Sequence, residues 1–339
     1  MKTAALIAVL GLFGPASERL VFLGDSITDG HTLPLLVRQA LGDQAPVCIN
    51  AGVAGDTAAG MRKRLERDVV PRRPTRVLLS VGINDVLRGV SVADYEADVA
   101  AISERLKQDR IPLILLTPTI LGPRHEAAET RSDEYVLALR RLAEKERYPV
   151  ADVRQRMREH RQSGPELLEP DQIHLTFEGY RLMARAVLES LGHADAGIAK
   201  ELHPEPMAGL LPRWTIRPLG RDAWKDLILP QSGAAAHWWV DQERRRGFAV
   251  ELDKDFGGEK RFEATALLES PVARDVFLNT GADLQSVTLN GVLRWKNEGW
   301  TGWHAGKERL PARLIAGSNR IRIETGTSFF LSVTDENNW

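Results

Sequence analysis

The sequence is short of several things. It has one cysteine, Cys48, so no disulfide can form within the chain. Cys48 lies in the apolar stretch Val47-Cys48-Ile49, with no base or positive helix end nearby to make it a nucleophile, and it reads as a small core residue. Charge of either sign is not in excess: 45 Lys and Arg against 46 Asp and Glu give a formal net charge of −1. No global field would draw the protein to nucleic acid or to an anionic membrane. The basic groups Arg62-Lys63-Arg64 and Arg72-Arg73 read as a solvated helix face and its exit loop. No apolar run approaches the roughly 20 residues needed to span a bilayer, which argues against membrane insertion. The longest, Ala4 to Phe13, follows Met1-Lys2 and ends in Gly14-Pro15-Ala16. That pattern predicts a short secretory signal over residues 1–17 and a secreted or periplasmic protein.

Aromatic residues are scarce, at 6% of the chain, and unevenly placed. All eight tryptophans follow residue 200 and all four tyrosines precede it, so two separate cores are expected. Gly, Ala and Pro punctuate the intervening stretch, which predicts a first domain over 18–195, a linker over 196–212 and a second domain over 213–339.

In the first part, short apolar runs alternate with amphipathic stretches. Strands are predicted at Leu20–Leu23, Val47–Ile49, Val77–Ser80, Leu113–Leu116 and Val150–Val153, and helices at Tyr95–Leu106, Tyr135–Leu142 and after Thr176. This alternation implies an α/β fold, a parallel sheet in a three-layer α/β/α arrangement. Working residues in such sheets gather where strands end and helices begin. The second part reads as strands: Ser286–Leu289 and Val292–Trp295 flank the hairpin signal Asn290-Gly291, with further strands at Phe248–Leu252, Asp275–Leu278 and Arg320–Glu324. An all-β sandwich, jelly-roll-like, is expected there.

Four blocks carry the chemistry. The first strand runs into Gly24-Asp25-Ser26-Ile27-Thr28, a turn that would expose the Ser26 hydroxyl at the carboxyl edge of the sheet. After the second strand comes Asn50 to Thr57, whose Gly55 can present a bare backbone N–H. After the third comes Gly82-Ile83-Asn84-Asp85, whose Asn84 can offer an amide donor. Late in the first domain, Asp171-Gln172-Ile173-His174 can bring a carboxylate to one nitrogen of His174 and leave the other for the Ser26 proton. Any one of these alone is an ordinary turn. Asp29, Asp56 and Asp85, beside the blocks, are read as loop-shaping residues. His31, His125, His160 and His193 lack metal-ligand spacing and are read as surface histidines.

Together the blocks resemble the SGNH hydrolases, also called the GDSL esterase/lipase family, over about residues 18 to 192. The resemblance implies a flavodoxin-like SGNH fold, Ser26 as nucleophile, His174 as base, Asp171 as orienting acid, and Ser26, Gly55 and Asn84 as oxyanion-hole donors. It implies hydrolysis of esters without metal or cofactor. The short link from Thr28 to the helix near Leu35 departs from the family pattern and predicts an open site poorly suited to long acyl chains. The second part looks like galactose-binding-like jelly rolls; Trp295, Trp300, Trp303 and His304 could offer flat faces to sugar rings, but the favoured expectation is that they fill its core or dock it on the first domain. A carbohydrate O-acetylesterase acting on a small-molecule or glycan ester is the leading expectation. The alternatives are a broad esterase, thioesterase or lysophospholipase, and a glycan-binding protein with a vestigial hydrolase half.

Overall fold

In the computed structural model, residues 18–160, 166–233, 235 and 237–335 are described; the expected signal over 1–17 lies outside them. Five parallel strands, β1 (Arg19–Gly24), β2 (Val47–Gly52), β3 (Arg76–Ser80), β4 (Leu113–Leu116) and β5 (Val150–Ala151), lie in the order β2-β1-β3-β4-β5. Leu20 to Leu23, Val77 to Leu79 and Leu113 to Leu116 are buried throughout, as continuous apolar strands covered on both faces must be. The helices in this half are α1 (Ser26–Asp29), α2 (Thr32–Leu41), α3 (Ala58–Lys63), α4 (Leu65–Asp68), α5 (Ile83–Leu87), α6 (Val92–Gln108), α7 (Glu126–Glu146), α8 (Val153–His160) and α9 (Phe177–Ser190). The predicted last strand is shorter than expected, because Val153 opens α8.

The second half is antiparallel and sandwich-like. Strands β6 (Arg213–Pro218), β7 (Lys225–Ile228), β8 (Phe262–Ser270), β9 (Arg274–Leu289), β10 (Val292–Lys296), β11 (Arg309–Leu314) and β12 (Gly317–Thr334) form a sheet ordered β10-β9-β12-β8-β6-β7, with β11 on β9. Asn290 and Gly291, at φ 51° and 80°, make the left-handed two-residue turn between β9 and β10. Two short helices, α10 (Trp238–Arg246) and α11 (Leu252–Asp255), precede β8.

The structure corrects several sequence expectations. Phe248–Leu252 is not a strand: only Ala249 bridges to Phe329, and Glu251 adopts φ 61°, turning the chain into α11. Arg64 and Arg72 are buried rather than solvated: the carbonyls of Gly24 and Ala51 and the Asp68 carboxylate draw Arg64 inward, and the Gly306 carbonyl of the second half accepts from Arg72. His31 is buried too, its Nδ1 accepting from the Asn50 amide at 3.1 Å. Burial and the nearby Arg246 hold its imidazole well below the usual histidine range, hence neutral. Cys48 packs at the edge of the sheet core, and burial pushes its thiol up to about 12.

The two halves have separate cores, the second built around Trp214, Phe262, Leu278 and Phe329. Tryptophans of the second half reach across to the first. Trp238 packs edge-on against Phe177 and Tyr180 of α9, with ring centroids at 5.9 and 6.0 Å. Among the described residues, no helix is long and apolar enough to cross a membrane.

Candidate active site

The site forms on the carboxyl rim of the parallel sheet. Strand β1 ends at Gly24 and the chain turns into α1, with Asp25 as N-cap, its Oδ1 accepting from the Ile27 N–H at 3.0 Å. Burial pushes the Asp25 carboxyl up to about 6, with the Ile27 N–H pulling the other way. Ser26 is therefore the first helical residue, and its N–H has no acceptor within the helix.

Three buried groups hold this turn. Asn50, on β2, donates from Nδ2 to Thr28 O at 2.8 Å and to Asp29 O at 3.1 Å, and its Oδ1 accepts from the Gly52 N–H. Gly52 lies so close to α1 that a Cβ there would sit 2.2 Å from the Asp29 nitrogen. From the other side Tyr180, on α9, donates to Ile27 O at 2.9 Å. Arg64, just after α3, bridges β1 and β2 at the rim. It donates to Gly24 O at 2.9 Å, Ala51 O at 2.7 Å, Asp56 at 2.6 Å and Asp68 at 3.0 Å, fixing the ends of β1 and β2 and the loop after β2 together.

His174 arrives on a tight loop before α9. Glu169 N–H donates to His174 O at 2.8 Å, and Leu168 bridges to Leu175, so the loop is closed at its base. Asp171 Oδ1 accepts from the N–H groups of Ile173 and His174, both at 3.0 Å, and its Oδ2 lies 2.5 Å from His174 Nδ1. Partial burial raises the Asp171 carboxyl, but the His174 ring and the two N–H groups outweigh it and hold it below the usual carboxylate range. An ionised Asp171 places the proton on Nδ1 and leaves Nε2 as acceptor. Nε2 lies 2.9 Å from Ser26 Oγ. Ser26, His174 and Asp171, 148 and 3 residues apart in sequence, thus form one hydrogen-bonded line.

The remaining blocks bind to each other. Asn84, in the first turn of α5, donates from Nδ2 to Asp56 O at 3.0 Å, while Gly55, in the loop after β2, takes φ 79°. Asp56 pairs with Arg64, and Asp85 accepts from the Ala58 N–H at 3.1 and 3.2 Å, so both shape loops. Asp29 goes further. Besides the Ala54 N–H at 3.0 Å, it accepts from the backbone N–H groups of Trp303, at 2.7 and 2.9 Å, and His304, at 2.9 Å. Burial pushes this carboxyl up to about 7 against the pull of those N–H groups and of Arg64. His304 docks as expected: it is buried, and burial together with Arg72 lowers its imidazole to about 3. Trp300 does neither, standing exposed.

Ser26 and His174 line a cavity of about 540 Å³ whose walls include Tyr180 of the first half and Trp238, Trp239 and Trp303 of the second. Trp238 Nε1 donates to Glu169 at 2.8 Å, pinning α10 to the loop that carries His174. Sequence reasoning missed Trp238, Trp239 and Glu169. The Trp-Trp pair itself was the available signal, but nothing local says that it reaches the other half.

Residues 22–182 match the GDSL-like Lipase/Acylhydrolase family. An acetylxylan esterase of Geobacillus stearothermophilus is 26% identical over 208 residues, 52% of this chain and 95% of that protein. Esterase TesA of Pseudomonas aeruginosa is 29% identical over 142 residues, 39% of this chain and 71% of that protein. Among solved structures, an α/β hydrolase enzyme from the metagenome of Lake Arreo, Spain, superposes with a TM-score of 0.49 at 27% identity, covering 54% of this chain and 99% of that one. The family match ends before β6.

Proposed function

Residues 22–182 form a domain of the GDSL-like Lipase/Acylhydrolase family and the chain is a carboxylic ester hydrolase; from that premise we propose that it is a carbohydrate O-acetylesterase working through Ser26, His174 and Asp171. Ser26 Oγ attacks the ester carbonyl carbon as its proton passes to His174 Nε2. The carbonyl oxygen takes up the negative charge and rests on the Ser26 N–H, the Gly55 N–H and the Asn84 amide; removing one such donor typically costs roughly 3–4 kcal/mol in the transition state. Collapse of the intermediate expels the alcohol, which takes the proton from Nε2, and water then repeats the sequence on the acyl-enzyme. Asp171 fixes the tautomer and stabilises the imidazolium.

The observation that carries this reading is the continuous line from Ser26 Oγ through His174 to Asp171, at 2.9 and 2.5 Å. Support for the acetylated carbohydrate comes from the acetylxylan esterase, matched over nearly its full length. We extend the proposal to export through the apolar run at residues 4–13; an exported protein retaining Met1 would refute that part.

A second reading, a broad-specificity esterase, gains from the aromatic walls of the cavity, which could also receive an apolar acyl chain. The deciding experiment measures acetate release from acetylated xylo-oligosaccharides beside a series of model esters of increasing acyl length, for the wild type and Ser26→Ala. The proposal expects acetylated sugars and short acyl esters to be hydrolysed and Ser26→Ala to be inactive on both. Rates that climb steadily with acyl length, with acetylated sugars untouched, overturn it in favour of the second reading.

A further inference from the structure

We propose that Trp239, braced by Trp303, is the subsite for the sugar ring on the alcohol side of the ester, so that the second half of the chain selects the glycan. The inference rests on the carbohydrate reading above and adds where the sugar is held.

Chemistry fixes which side of the cavity receives the alcohol. His174 Nε2 must hand its proton to the departing oxygen, so the leaving group lies on the imidazole side, away from the Gly55 and Asn84 loops. That side is where the tryptophan wall is attached. Trp238 is bonded to Glu169, two residues before Asp171, and Glu169 also faces His237 Nε2 at 3.4 Å. Next to this pinned ring, Trp239 is 43% exposed and lines the same cavity as Ser26. It is held edge-on by Trp303, with centroids 6.4 Å apart and planes at 86°, and Trp303 in turn stacks on Phe248 at 6.2 Å and 10°. A large exposed indole braced from behind at the mouth of a reactive cavity is a ready-made platform.

The polar groups around it decide between a sugar and an alkyl chain. Glu169 and Asp171 line the cavity beside the indoles. Both carboxylates already hold protein partners, Glu169 the Trp238 indole and Asp171 the His174 ring, and their remaining lone pairs can accept from a hydroxyl but gain nothing from an alkyl chain. A pyranose presents an apolar C–H face to an indole and hydroxyl donors at its edge, and so satisfies both surfaces at once. The cavity of about 540 Å³ is also far larger than an acetyl group fills.

The test uses the full-length protein and two acetyl esters that differ only in the alcohol: an O-acetylated methyl xylopyranoside and ethyl acetate. Trp239→Ala is expected to lower kcat/KM for the xyloside at least about tenfold more than for ethyl acetate, mainly through KM. Trp239→Phe, which keeps a ring face, should recover most of the difference. Wild-type activity on the xyloside with equal losses on both esters in Trp239→Ala overturns the subsite alone. A wild type that hydrolyses ethyl acetate and not the xyloside overturns the carbohydrate reading, and the subsite with it.

Discussion

Arg64 offers the sharpest test of how the rim is held. Its guanidinium, 8% exposed, gives hydrogen bonds to Gly24 O, Ala51 O, Asp56 and Asp68. Arg64→Met keeps much of the volume and removes every donor. Not all acceptors are orphaned: Asp68 keeps Arg67, Asp56 keeps the Thr57 N–H, and Gly24 O still accepts from the Val53 N–H. What remains is two largely buried carboxylates short of one cation, each at 11% exposure, and the loss of a tie between two strand ends. Breaking a buried ion pair by removing one partner costs about 3–5 kcal/mol, and the lower half of that range applies here because the acceptors keep second partners. Arg64→Lys retains the charge but cannot reach both carbonyls and both carboxylates, so it should cost roughly half as much. Since Gly24 precedes the Ser26 turn by two residues, a shift of about 1 Å there should lower kcat on a short ester about 100-fold. The distribution of aromatics supplies a probe: tyrosine absorbance follows the α/β half and tryptophan fluorescence mainly the second. In urea, the tyrosine midpoint should fall well before the tryptophan one does. An Arg64→Met protein within about 1 kcal/mol of wild type in the tyrosine transition would refute the bracing role.

Further consequences can be measured directly. Asp171→Asn should leave the fold intact and lower kcat by about 10²–10⁴, the lower end being favoured by the exposure of the pair; unchanged kcat would remove Asp171 from the mechanism. Gly52→Ala must push α1 outward, because the new Cβ would meet the Asp29 backbone at 2.2 and 2.6 Å; destabilisation of about 1–3 kcal/mol with a fall in kcat is expected, and wild-type kinetics would show that the contact yields freely. Asp29 predicts a pH effect. The folded carboxyl keeps its proton up to about 7 and the unfolded one only to 3.8, so the native state binds more protons in between. That stabilisation is full below the unfolded value and is lost as pH rises through the folded one. Wild-type stability measured against Asp29→Asn should therefore decline from about pH 4 to pH 7, and a rise over that window would contradict the burial that causes it.

Much of the first half was legible because its signals are local. Continuous apolar runs announce strands covered on both faces, and the hydroxyl, imidazole and carboxylate sit in short segments whose order places them on one sheet edge. What escaped depends on contacts between distant segments. Arg64 and Arg72 read as solvated because a basic cluster usually is, and only the folded rim shows the carbonyls that draw them inward. Phe248 to Leu252 has strand composition, but its neighbours are packed side chains instead of a paired strand. Trp238 and Trp239 carry no periodic signal, and their place beside Ser26 follows from the docking of one half on the other.

The carboxylate of residue 29 belongs by its backbone to the helix of the nucleophile and by two of its hydrogen bonds to main-chain N–H groups nearly 275 positions away. Main-chain donors are indifferent to the identity of the residue that bears them. Together with the Trp238 indole on Glu169 and the Arg72 guanidinium on Gly306 O, these two donors seat the second half against the helix of the nucleophile. On the subsite proposed above, substrate choice and bond cleavage would lie on opposite sides of that joint.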